Sequence, residues 1–99
     1  MYKIKKYSYD KINELNKKIG QDVYYIKPSM EKKIRVYKFN KLIAEVGSKD
    51  MGDYPSYIES DGLEFANKRR KAFYSRFARL PNIQDGEIQP IFWSRLLLW

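Results

Sequence analysis

Five carboxylates fall within residues 45–61: Glu45, Asp50, Asp53, Glu59 and Asp61. Directly after them, residues 63–80 carry six cations, Lys68, Arg69, Arg70, Lys71, Arg76 and Arg79, against a single carboxylate, Glu64. These two groups are where residue type and spacing could do chemistry. Clustered carboxylates can hold a divalent ion for phosphodiester cleavage. This spacing follows no calcium-loop pattern, and loop solvation or pairing with arginine accounts for it more simply. Lysines and arginines on one helix can hold phosphate groups, which supplies affinity with little sequence information.

Other chemistries are excluded by what the chain lacks. It has no histidine and no cysteine. That removes the commonest general base, thiolate nucleophiles and zinc fingers or ribbons. No GxSxG elbow, phosphate-binding Gly-rich loop or Rossmann fingerprint occurs. The expectation is therefore a protein that is not an enzyme, with no catalytic residue, no metal site and no cofactor. The basic N-terminus lacks the apolar stretch of a secretion signal, so the chain is not expected to be secreted. The longest purely apolar run, Leu96–Trp99, is far too short to span a bilayer.

Ninety-nine residues suit one domain, 1–99. An apolar fraction of 43% and an aromatic fraction of 16% argue for a packed core rather than disorder. Nine tyrosines against five phenylalanines favour half-buried rings and interfaces. The net charge of +8 is uneven: residues 1–41 carry 12 Lys/Arg against 4 Asp/Glu, and residues 42–62 carry 1 against 5. The acidic middle either neutralises part of the basic surface or marks a face turned away from an anionic partner. Such a balance favours polyanions: nucleic acid, an acidic protein surface or anionic lipid headgroups.

The elements that must position these groups follow from periodicity. Tyr2–Tyr7 alternates as a short strand or extended arm. Ile12, Leu15 and Ile19 at helical spacing predict a helix from about 9 to 19, with Ser8 or Asp10 as N-cap and Gly20 at its end. Asp22–Lys27 is β-rich and stops at Pro28-Ser29. Lys32–Phe39 and Lys41–Val46, joined through Asn40, predict a hairpin, imperfect because Lys41 would resist a positive φ. Ser48–Gly62 has the composition of an ordered loop, anchored by Tyr54 and Tyr57. Leu63–Leu80 predicts the longest helix, stopped by Pro81. Asn82–Gln89 predicts a second loop, and Pro90–Trp99 a short final helix rich in Trp and Leu. The class is α+β: a small antiparallel sheet built on the hairpin, the long basic amphipathic helix packed across it, and short N- and C-terminal helices.

Projecting the long helix divides its charge. At about 100° per residue, Leu63, Ala66, Phe73, Phe77 and Leu80 share one arc. Arg70 lies inside it, which predicts a buried arginine held by a carboxylate or carbonyls of the acidic loop, with a structural ion pair to Asp53 first and Asp61 or Asp50 next. The other readings for Arg70 are ligand binding and plain exposure. Lys68, Lys71, Arg76 and Arg79 point outward, and Lys32 and Lys33, with Lys3, Lys5 and Lys6, could extend that patch. These are the candidate contacts to nucleic acid or another polyanion; the alternative is a solvated face that only keeps the helix soluble. Phe73, Phe77, Trp93 and Trp99 are assigned to core or interface packing, since base stacking needs exposed ring faces.

Several short patterns occur in a fixed order: Ile26-Lys27-Pro28-Ser29, Lys32-Lys33, Val36-Tyr37, Gly47, Gly52-Asp53-Tyr54-Pro55-Ser56-Tyr57, Lys68-Arg69-Arg70, Tyr74, Arg76, Phe92-Trp93-Ser94-Arg95 and Leu97-Leu98-Trp99. Over residues 26–99 the chain thereby resembles a family of small, uncharacterised basic proteins encoded by nucleocytoplasmic large DNA viruses. Met1–Tyr25 looks like an extension particular to this chain. Family members often carry histidine where Phe77 stands here, so no chemistry of that histidine transfers. The usual Lys-rich stretch before the final Trp motif is also missing. The resemblance implies a viral protein of the virion or the host-cell interior, and it brings no activity with it. Three functions follow as expectations. The first is low-specificity nucleic-acid binding. The second is a minor capsid or adaptor role among other virion proteins, and the third is an inhibitor of an acidic host protein.

Overall fold

The computed structural model describes residues 1–99. In chain order it forms α1 (Lys6–Ile19), β1 (Tyr24–Pro28), β2 (Ile34–Lys38), β3 (Lys41–Val46), α2 (Tyr54–Asp61), α3 (Leu63–Arg76), β4 (Ile83–Gln84), β5 (Glu87–Ile88) and α4 (Pro90–Leu98). The class is α+β, with one antiparallel sheet ordered β1-β2-β3 and a separate β4-β5 pair.

Strand alternation sets the sheet's two faces. The register pairs Ile26 with Val36 and Ile34 with Val46, and these four side chains are buried on one face. Tyr25 pairs with Tyr37 on the other face, their rings stacked with centroids 4.9 Å apart. A bulge between Val36 and Tyr37 leaves Ile43 without a partner. The positive φ of the hairpin turn falls on Phe39 (φ 54), not on Lys41, which opens β3. The Phe39 amide donates to the Val23 carbonyl at 2.8 Å, which holds that left-handed residue in place.

The inner face is covered by α1 and α4. Ile12 of α1, Ile4 of the N-terminal arm and Trp93, Leu97, Leu98 and Trp99 at the C-terminus join the strand residues in one core. Trp93 meets Tyr24 edge-on at 5.0 Å. Buried polar groups fix α1 here. The Ser8 hydroxyl donates to the Leu97 carbonyl. The Asn16 side chain donates to the Tyr24 carbonyl and accepts from the Val23 and Tyr24 amides.

Several boundaries differ from expectation. α1 begins three residues early, at Lys6, with no side-chain cap, so neither Ser8 nor Asp10 serves as one. Asp10 instead pairs with Lys6 one turn away at 2.8 Å. Gly20 ends the helix in the left-handed region (φ 83), as expected. Residues 2–5 join no strand. The expected loop 48–62 contains α2: the Asp53 carboxylate accepts from the Ser56 amide and Pro55 lies in the first turn. Those are helix-start signals as much as turn signals. Gly62 (φ 89) turns α2 into α3 with no intervening loop. In the second expected loop, Asp85 and Gly86 both take positive φ and close the β4-β5 hairpin.

α3 is shorter than expected, ending at Arg76 with turns through Arg79. It lies against α2 and Trp99, while α4 and α1 meet the sheet. Of its side chains only Ala66 is fully buried. Leu63 and Leu80, expected in the core, are 57% and 47% exposed. The sheet and α4 already close the core without them.

Candidate nucleic-acid interface

The carboxylates of residues 45–61 determine which cations remain free. Asp53 is 1% exposed and Lys33 4%, and the Lys33 ammonium donates to the Asp53 carboxylate at 2.7 Å. The Tyr2 hydroxyl donates to the same oxygen at 3.0 Å, and the Lys33 ammonium also donates to the Met51 carbonyl. This clasp ties the N-terminal arm, the start of β2 and the cap of α2 together. Burial pushes the Asp53 carboxyl up; hydrogen bonds from Lys33 and Ser56 outweigh it and hold the group below the usual aspartate value. Burial first, then the neighbouring Asp53 charge, pushes the Tyr2 hydroxyl well above its usual value.

Two expectations are thereby corrected. Asp53 is not the partner of Arg70, and Lys33 is not an available contact to a polyanion. Gly47 explains the second. A Cβ there would stand 2.9 Å from Lys33 Cβ and 2.7 Å from Leu98 Cδ1, so only glycine leaves room for the lysine stem to run inward.

Of the remaining carboxylates, Glu45 and Glu59 are engaged by the N-terminal part of the chain. Glu45 accepts from Ser29 at 2.7 Å and from Arg35 at 3.4 Å. The Ser29 hydroxyl, then Arg35, draw its carboxyl below the usual value against the opposing effect of desolvation. Glu59 pairs with Lys5 at 2.7 Å. Asp61 accepts from its neighbour Ser60. The cations in ion pairs are Lys5, Lys6, Lys33 and Arg35, all within residues 1–41. No cation of residues 63–80 is in an ion pair with an Asp or Glu side chain.

Arg70 is a clasp, as its position on the apolar arc implies, but not to the acidic loop. Its guanidinium donates to the Trp99 carbonyl and to the Tyr7 hydroxyl, and lies 3.8 Å from the Tyr54 ring centroid. The Trp99 main-chain oxygen, a phenol and a ring face together satisfy the guanidinium with no Asp or Glu side chain.

Lys68, Lys71, Arg76 and Arg79 are exposed, as is Lys32 at the turn before β2. Stepping about 100° per residue puts Lys68 and Lys71 about 60° apart on α3, with Arg76 about 140° from Lys71. Arg69, also exposed, shares the Arg76 side and lies over the Tyr57 ring at 5.4 Å. The patch is therefore a band around α3 rather than one narrow stripe, and Arg79 continues it in the following turn. Glu64 is the one carboxylate on the helix.

The aromatic residues of the prediction pack inside or against the core. Trp93 and Trp99 are buried. Phe73 stacks on Trp99 (4.6 Å, 9° between planes) and meets Phe77 at 4.9 Å. Phe77, where the resembled family often has histidine, is a half-buried packing residue. Arg95, overlooked because it is a single charge on an apolar helix, donates to the Phe77 carbonyl at 2.6 Å and to Asn82 at 2.7 Å.

No protein-family model, curated protein or solved structure matches this chain. No helix is long and apolar enough to cross a membrane.

Proposed function

We propose that this protein is a non-enzymatic, low-specificity binder of nucleic acid that grips the phosphate backbone through Lys68, Lys71, Arg76 and Arg79, joined by Arg69 and Lys32. One observation carries the reading: Lys68, Arg69, Lys71, Arg76 and Arg79 pair with no Asp or Glu side chain, while Glu45, Asp53 and Glu59 of the acidic segment are engaged by Arg35, Lys33 and Lys5. An uncompensated band of cations displaces counterions from a phosphate backbone, and that release favours binding. The band contains no Asn or Gln among its contacts and no exposed Trp, so base reading contributes little. Fluorescence anisotropy with two duplexes of unrelated sequence tests this. Similar affinity for both at about 50 mM salt is expected, a concentration at which such contacts are strong. Undetectable binding there, or a large preference for one duplex, contradicts it.

A second reading, a minor virion component or protein adaptor, is favoured by exposed Phe39, Leu42 and Ile43 at the tip of the β2–β3 hairpin. Exposed apolar side chains grouped this way suit protein contact. Mass spectrometry of purified virus particles separates the two: high stoichiometry on the shell favours the second reading, and absence from particles removes it.

A further inference from the structure

The geometry points to a head-to-tail contact between copies of this chain, in which the β4–β5 hairpin of one copy docks on the tip of the β2–β3 hairpin of the next. The two ends carry opposite charge and comparable apolar side chains. At the β2–β3 tip, Phe39, Leu42 and Ile43 are 60%, 43% and 39% exposed. Lys38 and Lys41 flank that turn as direct register partners. On the other hairpin, Ile83 pairs with Ile88, and the two are 61% and 43% exposed. Asp85 and Glu87 stand at its turn, both exposed. None of these four charged side chains is in an ion pair.

Each end carries a cost within a single copy. Like charges directly opposite each other on paired strands repel. The one carboxylate of the β2–β3 hairpin, Glu45, is taken by Ser29 and Arg35 and cannot offset the two lysines. Phe39 holds φ 54, a conformation that bulky residues rarely adopt. The β4–β5 pair is separate from the main sheet and leaves its two isoleucines in solvent instead of on the core. A second copy answers these costs together. Asp85 and Glu87 meet Lys38 and Lys41, and the isoleucine pair covers Phe39, Leu42 and Ile43. Scattered exposed apolar side chains are ordinary; here the same chain carries both halves, with opposite charge. Nucleic acid or an anionic lipid surface would answer the lysines but leave the acidic hairpin and its isoleucines unpartnered.

The contact is independent of backbone binding by α3; it rests on the tip that the second reading gives to protein contact, and names the partner. Two hairpin ends supply fewer residues than the about 20–30 a side of a standard interface, so the association is weak and reversible. The charge of +8 per copy opposes it. At physiological salt, charges more than about 8 Å apart are largely screened, which leaves the contacting pairs to decide. Sedimentation equilibrium of the purified chain tests this with two variants, Lys38→Glu with Lys41→Glu and Asp85→Lys with Glu87→Lys. The natural chain is expected to self-associate between micromolar and millimolar concentration. Each variant alone should be monomeric. An equimolar mixture of the two should associate like the natural chain, because each supplies the charges the other has lost. Ile83→Ser should weaken the natural association about tenfold, and Lys68→Ala with Lys71→Ala should leave it unchanged. Two-dimensional NMR checks that the variants are folded, and concentration-dependent amide shifts of the natural chain should fall within residues 38–43 and 83–88. A natural chain that stays monomeric at millimolar concentration overturns the proposal, as does a mixture of folded variants that stays monomeric, or shifts confined to other residues. Those outcomes concern the purified chain alone and are separate from absence from virus particles, which removes the second reading.

Discussion

Substituting Asp53 tests the clasp that joins three parts of the chain. Asp53→Asn keeps a side chain able to cap α2 but removes the charge facing Lys33. The Lys33 ammonium is almost fully enclosed, and besides Asp53 it has the Met51 carbonyl and the Tyr2 ring face, neither of which carries a charge. Leaving such a charge unpaired costs about 3–5 kcal/mol. Asp53→Ala also loses the cap, for about 1 kcal/mol more. A domain of this size has about 5–15 kcal/mol in all, so either change should remove a large share of the stability. Lys33→Met combined with Asp53→Asn should recover much of the loss, because the apolar stem remains and no orphan charge is left. Urea unfolding followed by the fluorescence of buried Trp93 and Trp99 measures all three. A loss below about 1 kcal/mol for Asp53→Asn, the level of a solvated surface pair, would refute the buried-clasp account, as would a double variant no better than the single. The pH dependence follows from the same group. Its folded value is depressed, so its contribution is complete above the ordinary aspartate value of about 3.9. That contribution is lost as pH falls through the folded value.

Tyr2 gives the opposite sign. Its folded value is raised, so its contribution is present below the ordinary tyrosine value of about 10 and fades as pH rises beyond it. Tyr2→Phe should flatten the alkaline limb of the stability profile measured by urea unfolding. Gly52→Ala should destabilise by about 1–3 kcal/mol, because the added Cβ lands on the Tyr57 ring; the same assay, with Tyr57→Leu as a partial rescue, checks it. Arg70→Lys should lose about 2–3 kcal/mol through the Trp99, Tyr7 and Tyr54 contacts. The same urea assay measures it; a loss below about 0.5 kcal/mol, the level of an ordinary surface substitution, would contradict the clasp.

Much of the frame was legible from local rules. The alternation of Ile34 and Val36, the left-handed Gly20 and the Pro90 start of α4 each rest on one or two residues and appear as expected. What failed depended on partners distant in the chain. Projection placed Arg70 on the inner arc of α3 but could not identify the group opposite, which is the Trp99 main-chain oxygen with two tyrosines and not the acidic loop. Lys32 and Lys33 are indistinguishable by type, yet the space left by Gly47 sends only Lys33 inward. α2 was hidden because Gly52 and Pro55 read as turn residues, and eight residues are too few for a clear apolar period. Leu63 and Leu80 show that an apolar stripe names the face a helix can bury, while the neighbouring elements decide how much of it is covered. The outward cations were legible in type and exposure; that the acidic segment leaves them unpaired was not.

The central claim is that the cations around α3 bind phosphate backbone, and the salt dependence of duplex binding tests it most directly. Each neutralised phosphate contributes about −0.9 to the slope of log K against log salt, so about four to six contacts predict a slope of about −4 to −5. Lys68→Ala, Lys71→Ala and Arg76→Ala together remove three exposed charges without touching the core, and should flatten the slope by about 2 to 3 while the urea midpoint stays unchanged. A slope near zero for the natural chain, or one that the triple substitution leaves intact, would contradict the account.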